Sequence, residues 1–234
     1  MVILDALSYF IFVLALLSLS VPGNHESASG EAEATYGIRT ALKLMIENKV
    51  ILSTTVMFMT LNVGLGALTV FLPLISDRIA AGRPEVFGVL LGGMSLGEVI
   101  SAWLAGSLVL NLTLGKRIVL AQTLSGLSLA LLLVGPPAFW SAAIGLFLLG
   151  VFSAPLTIWA QTLRMQVIPP AMRGRTFAVL RTLMQGATPL GSALAGLLLP
   201  VLGIQLMIVL SSILVGGPGL VGLQSDALKR AGSD

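Results

Sequence analysis

Residues 87–110 read FGVLLGGMSLGEVISAWLAGSLVL, a run of apolar and small side chains with one ionisable group, Glu98, at its middle. A membrane helix needs about 20 mostly apolar residues, and this run has that length. Its apolar side chains contribute about 0.3 to 0.6 kcal/mol each toward insertion, roughly 5 kcal/mol together, whereas a central charge costs about 3 kcal/mol. The run therefore inserts and carries its glutamate with it. At the helical rise, Glu98 lies about 16 Å from Phe87, close to the bilayer midplane. It shares a helical face with Met94, Ser95, Ser101, Ala102 and Ala105, while Val99, Ile100, Trp103 and Leu104 suit lipid or dense packing. The expectation is a carboxyl group that faces other helices or a hollow. Two readings stay open: a group that takes a proton or pairs with a cationic substrate, or a permanently protonated acid hydrogen-bonded to a neighbouring span.

The rest of the chain repeats the same solvent preference. Hydrophobic residues make up 56% and charged residues 10%, and the mean hydropathy is +1.00, which places the chain among integral membrane proteins of all-α class. Seven apolar runs of spanning length stand at 4–21, 50–75, 87–110, 118–135, 139–163, 176–199 and 203–223. There is no cysteine, so disulfides, thiolate metal sites and cysteine nucleophiles are excluded. The single histidine, His25, lies in a polar segment with no second ligand at metal spacing. No metal, cofactor or catalytic residue is expected: a membrane hydrolase would need an intramembrane histidine to activate a serine. The net charge of +3 is spread over the loops rather than gathered on one face, so no nucleic-acid partner is expected.

The basic residues report orientation instead. Alternate loops hold ten lysines and arginines on one side (Arg39, Lys43, Lys49; Lys116, Arg117; Arg164, Arg173, Arg175; Lys229, Arg230), and the other side holds two, Arg78 and Arg83. Cytoplasmic loops retain such residues, so the C-terminus is expected inside, the N-terminus outside, and the plasma membrane is the expected location. Trp140 and Trp159 lie about 28 Å apart on one run, as interfacial anchors would. A first span that starts outside without a signal segment implies the latter part of a longer chain. The expected organisation is a span at 1–21, a cytoplasmic linker at 22–49, a six-helix bundle at 50–223 and a cytoplasmic tail at 224–234. Within the linker, "PGNHESASGEAEATYG" is polar and flexible in composition. "IRTALKLMIENK" places Ile38, Ala41, Leu42, Met45 and Ile46 opposite Arg39, Lys43 and Glu47, as in a short helix on the membrane surface.

Small and polar residues inside the runs supply further candidates. Gly93, Gly97, Ser101 and Ala105 recur every four residues, as do Ala187, Gly191 and Ala195, so both runs can admit another backbone closely. Pro155, Pro189 and the GGPG at 216–219 are expected to bend their helices and to serve either as hinges or as packing features. Asn62, Gln161 and Gln185 are candidates for a cavity or for interhelical hydrogen bonds. Arg181 lies about 8 Å deep against about 18 Å for Glu98, so it is expected to snorkel to the inner surface rather than pair with the carboxylate. Glycines followed by a late proline in the runs at 50–75 and 139–163 are compatible with an inverted repeat of triplets.

Four stretches, "DALSYF", "GIRTALKLMIENKVIL", "PPAMRGRTFAVL" and "PLGSALAG", together resemble the C-terminal half of drug- or siderophore-efflux members of the major facilitator superfamily. The proline followed by "RGR" is the most specific of these. The resemblance implies seven transmembrane helices, namely the last span of a missing N-terminal half followed by a six-helix C-terminal bundle. It also implies proton-coupled efflux of small amphipathic molecules, for which Glu98, Asn62, Gln161 and Gln185, the polar residues within the runs, are the path candidates. The implied partners are membrane lipid, a small-molecule substrate, a proton, and the missing half or a second copy. Cytoplasmic gate motifs fall on Gly115, Lys116, Arg117, Arg173, Gly174, Arg175 and Arg181, and helix hinges and packing on Gly93, Gly97, Pro155, Pro189 and Gly191. "GSLVLNLTLGKR" departs from the family's pattern in lacking the acidic residue of that loop, which removes a charge pair there. The rival readings are a seven-span receptor, although the last run has no lysine for a retinal Schiff base, and a non-transporting membrane scaffold.

Overall fold

The computed structural model describes residues 10–14, 18, 38–80, 83–106, 111–134 and 139–232. The chain divides into two units, Met1–Thr35 and Tyr36–Asp234. In the first, residues 10–14 and 18 are helical; the remainder of the run at 4–21 and the polar linker up to residue 37 lie outside the described residues.

Among the described residues the regular structure of the second unit is helical. It comprises α1 (Ile38–Glu47), α2 (Lys49–Ala80), α3 (Pro84–Ala105), α4 (Leu114–Ala130, extended by a 3-10 turn at Leu131–Leu133), α5 (Phe139–Val167), α6 (Arg173–Gly222) and α7 (Asp226–Arg230). Local chemistry sets several of these ends. The Asn48 carbonyl oxygen of the side chain accepts from the N–H groups of Val50 and Ile51 at 3.0 and 3.2 Å, capping α2. Thr113 caps α4 by accepting from the Lys116 N–H at 3.3 Å. Pro84 opens α3 at a position whose missing N–H costs nothing. α1 carries an Lys43–Glu47 ion pair at 3.7 Å on its exposed face, buries Ala41, and touches both α2 and α6.

Among the described residues, five helices are long and apolar enough to cross a membrane. The last, Pro170–Gly222, has 53 residues, which at about 1.5 Å per residue is more than twice the roughly 30 Å of bilayer hydrocarbon. It is not one rod. Gly203 has φ 73° and ψ 168°, a left-handed conformation that only glycine adopts without strain. The segments on either side of it return to the same stretch of α2: Gly191 packs on Val63 and Gly66 on Thr188 and Ser192, while Gly64 packs on Val215 and Ser211. The long helix thus doubles back at Gly203, giving two spanning arms where runs at 176–199 and 203–223 were expected, with the turn reduced to a single residue.

Both arms of α6 pack on α2, α3 packs on α5, and α4 packs on α5 and α6; contact of α2 with α3 and with α5 is slighter. Phe71, Leu72, Leu90, Ile118, Leu146, Leu149 and Leu180 form a buried core through these seams. Many large apolar side chains lie on the outside. Val99 is 67% exposed, Trp103 81%, Val201 81% and Val221 70%, a surface that hydrocarbon accepts and water would not. The chain is therefore an all-α, multi-span integral membrane protein.

Three details bear on the sequence expectations. The run at 87–110 is helical to Ala105, with Gly106 in a turn. Glu98 stands seven residues, about 10 Å, before that helix end. Pro189 and the GGPG segment lie inside helix, and the non-helical backbone within α6 is at Gly203. Arg164, counted as a loop cation, lies inside α5 and is wholly buried.

Candidate functional site: buried and uncovered polar groups of the bundle

Glu98 sits on the seam between α3 and α5, where small residues let two backbones nearly touch. A Cβ on Gly97 would meet the Phe147 carbonyl, and one on Gly150 would meet the Met94 carbonyl and, at 3.0 Å, the Glu98 nitrogen. Gly93, by contrast, has open space around it. The Ser101 hydroxyl crosses the seam to the Gly150 carbonyl at 3.4 Å and also reaches the Glu98 carbonyl at 3.2 Å. Ser153 on α5 is the hydrogen-bonding neighbour of the half-buried Glu98 side chain. Its own hydroxyl donates to the Gly150 carbonyl at 3.3 Å.

The other expected path residues divide in two. The Asn62 amide donates to the Met184 carbonyl at 2.8 Å and ties α2 to the first arm of α6. Gln161 on α5 and Gln185 on α6 are exposed, as are Thr157 and Thr182 on the same helices. Arg181, also exposed, bonds through Nε to the Gln185 side-chain oxygen at 3.4 Å. Along its helix Arg181 is about 12 Å from the start of α6, and it takes its partner on its own helix.

The basic loop motifs act on helix ends. Gly115 is buried because a Cβ there would meet the Leu228 carbonyl, and its N–H donates to the Ala231 carbonyl at 3.2 Å. The Arg117 side chain donates to the Leu112 carbonyl at 2.9 Å and lies 5.9 Å from the Trp159 ring centre. Arg173 donates to the Ile168 and Met165 carbonyls at 3.2 and 2.8 Å, satisfying the last turn of α5 and the residue after it. Lys116, Gly174 and Arg175 are exposed. Pro155 is buried within α5, Pro189 exposed within α6, and Gly191 is held against the Val63 carbonyl.

Two buried polar groups escaped sequence reasoning. Arg164 is 0% exposed. Its Nε donates to the Thr54 hydroxyl at 3.3 Å and one terminal nitrogen to the Thr54 carbonyl at 3.0 Å, with the guanidinium carbon 4.7 Å from the Phe58 ring centre. The other terminal nitrogen has no hydrogen-bond partner, and Arg164 forms no ion pair among the described residues. Gln122 on α4 donates to the Met57 and Val215 carbonyls at 2.8 and 3.0 Å, joining three helices through one amide. The signal for Arg164 was present but misfiled: it stands inside the helical period of α5, one turn before the helix end. No comparable signal marks Gln122 off from the other amides.

Among the described residues, no group of three or more His, Cys, Asp or Glu side chains gathers as a metal site would require. Residues 1–230 match the family described as transmembrane secretion effector, within the major facilitator superfamily. No curated protein matches the sequence significantly. Because that family match spans nearly the whole chain, this non-catalytic, membrane-transport-type protein belongs to the transmembrane secretion effector family of the major facilitator superfamily.

Proposed function

We propose that the chain works as the C-terminal half of a secondary transporter that exports small amphipathic molecules in exchange for protons across the plasma membrane. The observation that carries this reading is a set of polar side chains on membrane-spanning helices that the described chain leaves uncovered: Thr157 and Gln161 on α5, and Arg181, Thr182 and Gln185 on α6. Polar groups facing lipid are costly, and ionisable ones are found where a bundle interior or a water-filled cavity receives them. An N-terminal half, or a second copy, supplies the opposite wall of such a cavity. Secondary transporters place their binding sites between repeated halves of this kind. The basic rim formed by Lys116, Arg117, Arg173, Arg175, Lys229 and Arg230 supports an inward-facing C-terminus. The family's description as a secretion effector supports export.

In this mechanism Glu98 is the proton carrier. It stands beside a close helix contact, so a change in its charge is felt where α3 and α5 have little room to adjust. Arg164 is a positioning residue. It fastens the ends of α2 and α5, which touch little otherwise, through Thr54 and Phe58. Gly97, Gly150 and Gly191 let the helices slide as close-packed units, and Gly115 with Arg173 fixes the loop ends that close the inner side.

The test is dye-linked proton movement in vesicles holding the full transporter, with cationic amphipathic dyes as substrates. Wild-type protein is expected to release protons as dye moves, and Glu98→Gln to move dye, if at all, without them. Equal proton release by both would overturn the assignment.

A further inference from the structure

A groove of about 450 Å³ opens where α2 begins and α6 ends. Its walls are apolar, with Leu52 and Val56 from α2, Val221 and Gly222 from α6, and Leu228 from α7. Two hydroxyl residues, Ser53 and Ser225, also line it among the described residues. Lys49 stands one helical turn before Ser53 on α2, so the two share a face. Lys229 stands one turn after Ser225, whose carbonyl accepts the Lys229 N–H at 3.0 Å. The groove therefore has an apolar trough, a hydroxyl residue on each wall, and a lysine one helical turn along the chain from each of those two serines.

This end of the bundle is built rather than incidental. Thr113 donates to the Lys229 carbonyl at 2.8 Å and the Gly115 N–H to the Ala231 carbonyl at 3.2 Å, so α7 is anchored to the start of α4. That anchoring holds Leu228 as a wall of the trough. Arg230, exposed, adds a third positive charge nearby.

A trough of this polarity, with a lysine one turn from each of its serines, complements a lipid with one negative charge. We propose that it binds an anionic phospholipid, with an acyl chain along Leu52, Val56 and Val221, the ester region at Ser53 and Ser225, and the phosphate between Lys49 and Lys229. A zwitterionic lipid would fill the trough equally well, but its headgroup cation would meet the two ammonium groups, so charge sets the preference.

Native mass spectrometry of the full chain in detergent tests this, using equimolar phosphatidylglycerol and phosphatidylcholine of matched acyl chains. The wild type is expected to retain one phosphatidylglycerol in preference. Lys49→Gln and Lys229→Gln should each lower that preference about fivefold, while Lys49→Arg and Lys229→Arg keep it. Val56→Trp, which fills the trough, should lower retention of both lipids. Equal retention of the two lipids by the wild type would overturn the proposal, as would a preference unchanged in the glutamine variants. Displacement of the lipid by millimolar inorganic phosphate would assign the site to a free anion, and a dimer lost on Val56→Trp would assign it to a second copy; either result contradicts the lipid.

Discussion

Glu98 on α3 and Arg164 on α5 are both ionisable groups within membrane-spanning helices, and the bundle houses them in opposite ways. Glu98 is half-buried at a seam lined by Gly97, Ser101 and Gly150, where the neighbours are main chain and two hydroxyls. Arg164 is wholly enclosed at the end of the helix, its charge answered by a carbonyl, a hydroxyl and an aromatic face, with one nitrogen left over. The first arrangement leaves a group free to change state beside a tight contact. The second holds a guanidinium, which keeps its charge at any ambient pH, in a place where charge is expensive. Stability alone does not favour such an arrangement, since well-packed apolar side chains of similar volume often serve as well or better.

That contrast predicts different consequences on substitution. The largest effect is expected for Arg164→Met, which should lower dye export at least a hundredfold while leaving the melting temperature in detergent unchanged or higher. A fall in stability that accounts for the lost export would reduce Arg164 to a packing element. Arg164→Lys should be intermediate, because an ammonium cannot serve Thr54 and Phe58 in the planar geometry of a guanidinium. Next in size, Glu98→Gln should cut export about tenfold at the same protein level and flatten its dependence on pH. Retention of the wild-type pH profile would show the carboxyl to be structural.

The glycines sharpen the comparison on the Glu98 side. Gly97→Ala should destabilise the bundle by about 1–3 kcal/mol, since its new methyl has the Phe147 carbonyl in its way. Gly93→Ala, one turn earlier and in open space, should be neutral or stabilise by up to about 1 kcal/mol. Thermal unfolding of the two variants side by side would check the seam, and equal effects would refute it. Smallest of all, Asn62→Leu removes one interhelical hydrogen bond to Met184 and should cost about 0.6 kcal/mol, the average for such bonds in membranes.

Much of the architecture could be read from the sequence because hydrocarbon imposes length and polarity on every span. Glu98 announced itself by interrupting such a run, and the four-residue spacing of Gly97, Ser101 and Ala105 pointed to the close seam beside it. Arg164 was hidden for the converse reason. An arginine at the end of an apolar run usually reaches outward to the surface, and whether it turns inward depends on a hydroxyl and a ring from α2, far away in the chain. The hairpin at Gly203 was concealed similarly, since a glycine between two apolar runs reads as a loop of unknown length, whereas φ 73° lets a single residue complete the reversal. Gln161 and Gln185 were visible as polar interruptions; their exposure follows from which helices flank α5 and the first arm of α6, and no local pattern encodes that.

The most direct test of the central claim, that these uncovered polar residues border a water-filled path while the apolar surface meets lipid, uses the absence of native cysteine. Single cysteines at Gln161, Gln185, Val99 and Leu127 can be exposed in intact membranes to a charged, membrane-impermeant maleimide applied to both sides. Labelling at 161 and 185, with substrate slowing it, and none at 99 and 127 is the predicted result. Equal labelling at all four positions, or none at 161 and 185, would contradict the account.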